Sequence, residues 1–186
     1  MIPPLPRAAS ANPPAGLEIL LSAEEVAARV DALAARLAPR LVDDCVGVCL
    51  LMGGLWFAAD LTRALAGLGR NLAVDALWLA SYGDRETSAG RCEVRAGLQR
   101  PVIGRQVLIM DDVVDTGLSL AFAVEMAREA GAREVLCTVF ARKPWPSPRA
   151  VEPDEAAWDA PARFLVGYGM DRAGGMRGLP YVAAAG

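Results

Sequence analysis

A fourteen-residue stretch, VLIMDDVVDTGLSL at positions 107–120, constrains this chain more than any other. Val107 to Met110 is a short apolar run of the kind that sits buried in a parallel sheet. Two carboxylates follow, Asp111 and Asp112, then two apolar residues and a third carboxylate, Asp115. Thr116, Gly117, Leu118 and Ser119 lead into a run with helix-forming composition, expected over 117–130 and ending at Gly131. A strand, an acidic turn, a small hydroxyl-bearing loop and a helix make a site at the carboxyl end of a strand, where open α/β sheets hold their ligands. The loop N–H groups, the Thr116 and Ser119 hydroxyls and the helix N-terminus together suit a phosphate dianion. Adjacent carboxylates repel phosphate and need another partner. They accept hydrogen bonds from sugar hydroxyls or bind magnesium, which then screens the phosphates. An acidic turn with a helix cap is the plainer reading of an isolated Asp-Asp pair. The company of the apolar strand, the third acid and the hydroxyl-glycine loop favours a ligand site.

At 186 residues the chain suits one domain with a proper core. It is 54% hydrophobic, largely through alanine, and no uninterrupted apolar run approaches the ~20 residues of a spanning helix. The start, MIPPLPRAASANPPAG, lacks the continuous apolar core of a signal peptide. Residues 1–17 are expected to form a Pro-rich, poorly ordered tail before a single domain at 18–186, and a cytoplasmic location with no membrane partner follows. A formal charge of −3 without a basic stripe argues against a nucleic-acid partner. Cys45-x₃-Cys49 has no partner pair and histidine is absent, which argues against zinc and for buried free thiols. Without histidine, proton chemistry falls to carboxylate, lysine or tyrosine.

Strands and helices alternate along the chain, as in an α/β sheet. Ser22 to Glu25 reads as a capping box, and Val26, Val30, Leu33 and Leu37 mark the apolar face of the helix it opens, which Pro39 closes. Cys45 to Leu51 reads as a buried strand entering Met52-Gly53-Gly54 and then a helix. A Gly-Gly turn lets backbone approach an anion closely, although a plain turn has the same appearance. Val74 to Ala80 reads as the next strand, and Ser81 to Gly90 as either a mobile lid or an ordinary hairpin loop before an alternating strand from Arg91. Val135 to Phe140 follows as a strand. Lys143 is the only lysine among 19 basic residues, which suggests a need for a compact ammonium at that position; a chance surviving surface lysine is the alternative. Trp145 to Asp159 reads as a long Pro-rich acidic connection, with EAAW at 155–158 too weak for a strand. Phe164 to Asp171 then gives a short strand into a Gly-rich turn, with Arg177 six residues on.

Strand, acidic pair and hydroxyl loop at 107–120 resemble the phosphoribosyl-pyrophosphate (PRPP) motif of type I phosphoribosyltransferases. With FLVGYGMD, the trailing Arg177 and the preceding Lys143, residues 18–182 resemble the hypoxanthine-guanine phosphoribosyltransferases. The resemblance implies an α/β fold of the type I phosphoribosyltransferase class, with a central mostly parallel sheet flanked by helices and a small hood. It implies transfer of the 5-phosphoribosyl group from PRPP to hypoxanthine or guanine, with Mg²⁺ and a homodimer or homotetramer. Transfer to xanthine or another 6-oxopurine, or a weakly catalytic nucleotide-binding regulator, are the competing readings.

By that resemblance Asp111 and Asp112 hold the ribose, Asp115 is the general base, and Asp115, Thr116, Gly117, Leu118 and Ser119 form the 5′-phosphate loop. Met52, Gly53 and Gly54 form a pyrophosphate loop, often entered through a cis peptide, and Arg177 adds a charge to it. Ser81 and Tyr82 belong to the lid. Lys143 contacts the purine 6-oxo group, Phe164 stacks on the base and Leu165 offers backbone beside it. Asp171, with Asp111 and Asp112, is the implied metal site. The chain departs from the family at Met52, where many members carry Lys or Arg, at EAAW, where many have an aromatic-rich strand, and at Arg172, where an aromatic is common.

Overall fold

The computed structural model describes residues 16–81 and 92–185. Nine strands and three α-helices follow in the order β1 (Leu17–Leu21), α1 (Ala23–Leu37), β2 (Val46–Leu51), α2 (Leu55–Gly67), β3 (Ala73–Ser81), β4 (Cys92–Ala96), β5 (Gln106–Val114), α3 (Leu118–Glu129), β6 (Glu134–Arg142), β7 (Glu155–Asp159), β8 (Leu165–Val166) and β9 (Val182–Ala185) among the described residues. A six-stranded sheet runs β4-β3-β2-β5-β6-β7, parallel except for the antiparallel β3–β4 edge. A separate antiparallel sheet, β1-β9-β8, forms the hood.

β5 lies at the centre of the larger sheet, and its apolar run reflects burial on both faces. Leu108 and Met110 pack into the cluster that includes Val30 and Leu33 of α1 and Phe57 and Leu61 of α2. Val107 and Ile109 point the other way, among Leu120, Ala123 and Val124 of α3. Each such fully buried aliphatic side chain contributes about 1.5–3 kcal/mol. The first helix starts as its capping box requires: Ser22 Oγ accepts from Glu25 N–H at 3.2 Å, and Glu25 Oε2 accepts from Ser22 N–H at 2.8 Å. A 3₁₀ turn, Ala38–Arg40, carries Pro39 and ends that segment.

Three local expectations need correction. Asp111 and Asp112 are not in a turn, because β5 runs on through Val114. Its pairing with β2 stops at Cys49–Met110, but its pairing with β6 continues as far as Val114–Arg142. One flank of β5 is therefore supported by β6 while the other opens a crevice, and the two acids stand on its lip. EAAWD does form a strand, β7, paired in parallel with β6 at the sheet edge. It is anchored from outside its own sequence: Asp154 Oδ2 accepts from Cys137 N–H, and Arg36 donates to Glu155 and to the Ala156 carbonyl. The connection from Trp145 is shorter accordingly. The third helix starts at Leu118, one residue later than expected, with Gly117 in the left-handed conformation as its N-cap.

Cys45, Cys49 and Cys137 are buried and free. Burial pushes each thiol up to about 12, so they pack as small apolar groups. No helix among the described residues is long and apolar enough to cross a membrane.

Candidate active site

The crevice beside β5 divides into two adjoining clefts. The smaller, about 150 Å³, is bordered by Asp115, Lys143, Phe164, Leu165 and Met170. The larger, about 250 Å³, is bordered by Gly53, Asp111, Ser119, Arg177 and Leu79. Asp112, Val113 and Asp171 border both.

Strand periodicity separates the two acids of the pair. Asp112 shares a face with Leu108 and Met110, on the side of α2, and Asp111 shares a face with Val107 and Ile109, on the side of α3. Each carboxylate turns back on the chain: Asp111 Oδ1 accepts from Asp112 N–H at 3.0 Å, and Asp112 Oδ1 from Val113 N–H at 2.9 Å. Desolvation pushes both carboxyls above the usual range, and for Asp111 the neighbouring Asp112 adds to the rise. The nearby Arg177 charge opposes the shift without cancelling it.

The turn from β2 to α2 carries Met52, Gly53 and Gly54 and is entered through a cis Leu51–Met52 peptide. Asp112 leaves no room for a side chain at 53 unless its carboxylate shifts: a Cβ there would stand 2.1 Å from Asp112 Oδ2. The Gly53 carbonyl in turn faces Gly169 so closely that a Cβ on Gly169 would lie 2.1 Å from it. Gly54 N–H is engaged by the Leu50 carbonyl at 3.0 Å, which leaves Gly53 as the glycine bordering the larger cleft. Met52 is exposed and borders neither cleft.

After β8 the chain makes a tight turn that carries Asp171. Tyr168 holds it from behind with a positive φ of 48°, its ring edge-on to Phe140 at 4.7 Å and its hydroxyl donating to Asp60 Oδ2 at 3.0 Å. Burial and the Asp60 carboxylate push the Tyr168 phenol up, so it stays a donor. Tyr168 lies within the FLVGYGMD segment, but its link to Asp60 is not legible in sequence, because it joins positions 108 residues apart. Arg177 Nη2 pairs with Asp171 Oδ1 at 2.7 Å, and its Nη1 donates to the Gly169 carbonyl at 2.5 Å. Asp171 Oδ2 accepts from Gly174 N–H at 2.7 Å.

On the other side of the crevice, Lys143 Nζ lies 3.4 Å from Asp115 Oδ1. Phe164 is 52% exposed and borders the smaller cleft, while its carbonyl accepts from Ala185 N–H of the hood at 3.0 Å. Leu165 is buried and pairs with Ala184. Thr116 Oγ1 accepts from Leu118 N–H at 3.3 Å; Thr116, Gly117 and Leu118 shape the loop without bordering either cleft. Ser81 ends β3, and Tyr82 lies outside the described residues.

The phosphoribosyl transferase domain family matches residues 18–171 of this chain. Hypoxanthine-guanine phosphoribosyltransferase of Bacillus subtilis is 32% identical over 166 residues, covering 89% of this chain and 91% of that protein. The chain belongs to the phosphoribosyltransferase family. The Dictyostelium discoideum protein of the same name is 29% identical over 167 residues, 89% of this chain and 93% of that one. A Trypanosoma cruzi hypoxanthine phosphoribosyl transferase superposes with a TM-score of 0.83 at 27% identity over 91% of each chain. A variant of the Trypanosoma cruzi enzyme in complex with its product IMP gives 0.85 at 26% identity over 95% of each. The mostly parallel sheet and its hood are the type I phosphoribosyltransferase fold.

The family implies magnesium, and the donor set fits it. Asp111, Asp112 and Asp171 all border the larger cleft, and they are hard oxygen donors suited to that ion. Two of these carboxyls are raised by burial, which a cation would relieve. Among the described residues no group of three or more acidic or thiol side chains closes on one point.

Proposed function

We propose that this chain transfers the 5-phosphoribosyl group from PRPP to hypoxanthine or guanine, releasing pyrophosphate and serving purine salvage. One observation carries the reading: two adjoining clefts share Asp112, Val113 and Asp171, one with a lysine, a carboxylate and an open aromatic ring, the other with acids, an arginine and a glycine turn. A planar base and a charged sugar diphosphate placed in them meet at the shared wall.

Breaking the bond at the anomeric carbon ahead of making the new one builds positive charge on the ribose and negative charge on pyrophosphate. Arg177 and the Gly53 N–H oppose the second charge where it develops. Asp111 and Asp112 accept from the ribose hydroxyls, and Asp115, Thr116, Gly117, Leu118 and Ser119 receive the 5′-phosphate at the N-terminus of α3. Asp171, with Asp111 and Asp112 nearby, would hold magnesium, which would supply neutralisation of the charge that develops on pyrophosphate. Asp115 accepts the proton of the attacking ring nitrogen, a contribution typically worth about 10²–10⁴-fold. Lys143 donates to the 6-oxo group. Adenine would offer it a donor and is rejected. The Phe164 ring stacks on the base, and the Leu165 backbone lies beside it.

Cys45, Cys49 and Cys137 as free thiols support a reducing, cytoplasmic setting, and the family supports a homodimer or homotetramer. PRPP-dependent nucleotide formation with hypoxanthine, guanine, xanthine, adenine and uracil tests the reading. Rapid turnover of hypoxanthine or guanine is expected. Preference for xanthine would move the assignment to another 6-oxopurine, and nucleotide binding without turnover of any base would make the chain a regulator.

A further inference from the structure

We infer that Arg149 is a positioning residue that ties the phosphate loop to the base-recognition lysine, an inference that rests on the transfer reaction proposed above. Its side chain is only 7% exposed, although it lies in the Pro-rich segment between β6 and β7. Its guanidinium makes three separate connections. Nε donates to the Asp115 carbonyl at 2.8 Å, Nη2 donates to the Lys143 carbonyl, and Nη1 donates to both Glu152 carboxylate oxygens at 2.8 and 3.0 Å. The two carbonyls belong to the residues assigned as proton acceptor and 6-oxo donor, whose side chains meet at 3.4 Å.

The surrounding backbone closes the same joint. Lys143 N–H donates to the Val114 carbonyl at 3.2 Å, and Ala150 N–H to the Thr116 carbonyl at 3.0 Å. A Cβ on Gly117 would lie 2.5 Å from the Val151 carbonyl, so the segment after Arg149 lies directly against the phosphate loop. Residues 143–152 therefore act as a brace behind one wall of the crevice, joining the Lys143 strand end to the phosphate loop. A planar fork is what the joint needs: two acceptors on two chain segments, reached at once from one rigid group. Lysine keeps the charge beside Glu152 but cannot span both carbonyls. Displacement of reacting groups by about 1 Å is enough to cost on the order of 10²-fold in rate.

The test compares kcat/KM for hypoxanthine and KM for PRPP in the parent, Arg149→Lys and Arg149→Ala, each well below its melting temperature. Arg149→Lys is expected to lose ~10-fold or more in kcat/KM and to raise KM for PRPP, because the Asp115 carbonyl begins the phosphate loop. Added guanidinium ion is expected to restore part of the activity of Arg149→Ala, and methylammonium to restore none. Should Arg149→Ala not fold, Arg149→Lys carries the test alone. Parent-like kinetics in Arg149→Lys, or equal rescue by the two cations, would overturn the inference while leaving the transfer reaction standing. A parent that forms no nucleotide from any 6-oxopurine would instead overturn the reaction on which it rests.

Discussion

At Lys143 the ammonium stands 3.4 Å from Asp115 Oδ1, with the side chain 17% exposed and both groups facing the same cleft. Lys143→Ala removes a charge-assisted donor worth about 1.5–3 kcal/mol, so kcat/KM for hypoxanthine at saturating PRPP should fall roughly 10- to 150-fold. Lys143→Arg should also be impaired, since the guanidinium is longer, planar and aimed differently. PRPP affinity measured without base should hardly change. A parent-like Lys143→Arg would show that a compact ammonium is not what the site requires. Asp111 raises a different question, because desolvation and its neighbour Asp112 hold its carboxyl above the usual range. With the folded value above the unfolded one, the stability is fully present below the unfolded pKa and is lost as pH rises through the folded one. Asp111→Asn keeps an oxygen for Asp112 N–H and removes that loss. In free protein near pH 7 it should melt higher, by about 2–4 °C for each kcal/mol recovered, with the gain fading below about pH 4. The same variant should bind PRPP more weakly. A melting gain that does not change with pH would show that the carboxylate charge is not its cause.

The acidic strand, the glycine turn after β2 and the turn after β8 interlock as elements. The Asp112 carboxylate occupies the space of a Gly53 side chain, and Gly169 sits against the Gly53 carbonyl. Gly53→Ala must push the carboxylate or the turn aside, a strain typically costing about 1–3 kcal/mol. Since Gly53 borders only the larger cleft while Asp112 borders both, KM for PRPP should rise ~10-fold or more and KM for hypoxanthine by less. PRPP and purine titrations of the folded variant check this, and an unchanged KM for PRPP would mean the carboxylate swings away freely. Elements whose signals are local were readable from the residues alone. The capping box at Ser22, the apolar run at Val107 and the glycine turn at 53 and 54 needed no partner to be seen. The local pattern puts the two acids in a turn because the continuation of β5 depends on β6, whose residues lie far along the chain. EAAW carries too little local signal for the same reason: its pairing with β6 and its Arg36 contacts are non-local. Arg149 left no local signal, since two of its partners are main-chain carbonyls that any residue possesses.

For the whole molecule, α1 and α2 cover one face of the sheet and α3 the other, so the apolar half of β5 is held rigidly on both sides. The acidic half emerges where β2 has ended, and the hood closes over it through Phe164 and Leu165. The fold thus sets rigid strand ends on one side of the crevice and turns on the other. The decisive measurement is single-turnover formation of IMP from PRPP and hypoxanthine by the parent and by Asp115→Asn, with PRPP affinity measured alongside. The parent should produce IMP and pyrophosphate in equal amounts, and Asp115→Asn should bind PRPP nearly as well yet react ~10²-fold or more slowly. IMP formation by Asp115→Asn at the parent's rate, or none by the parent, would contradict the account.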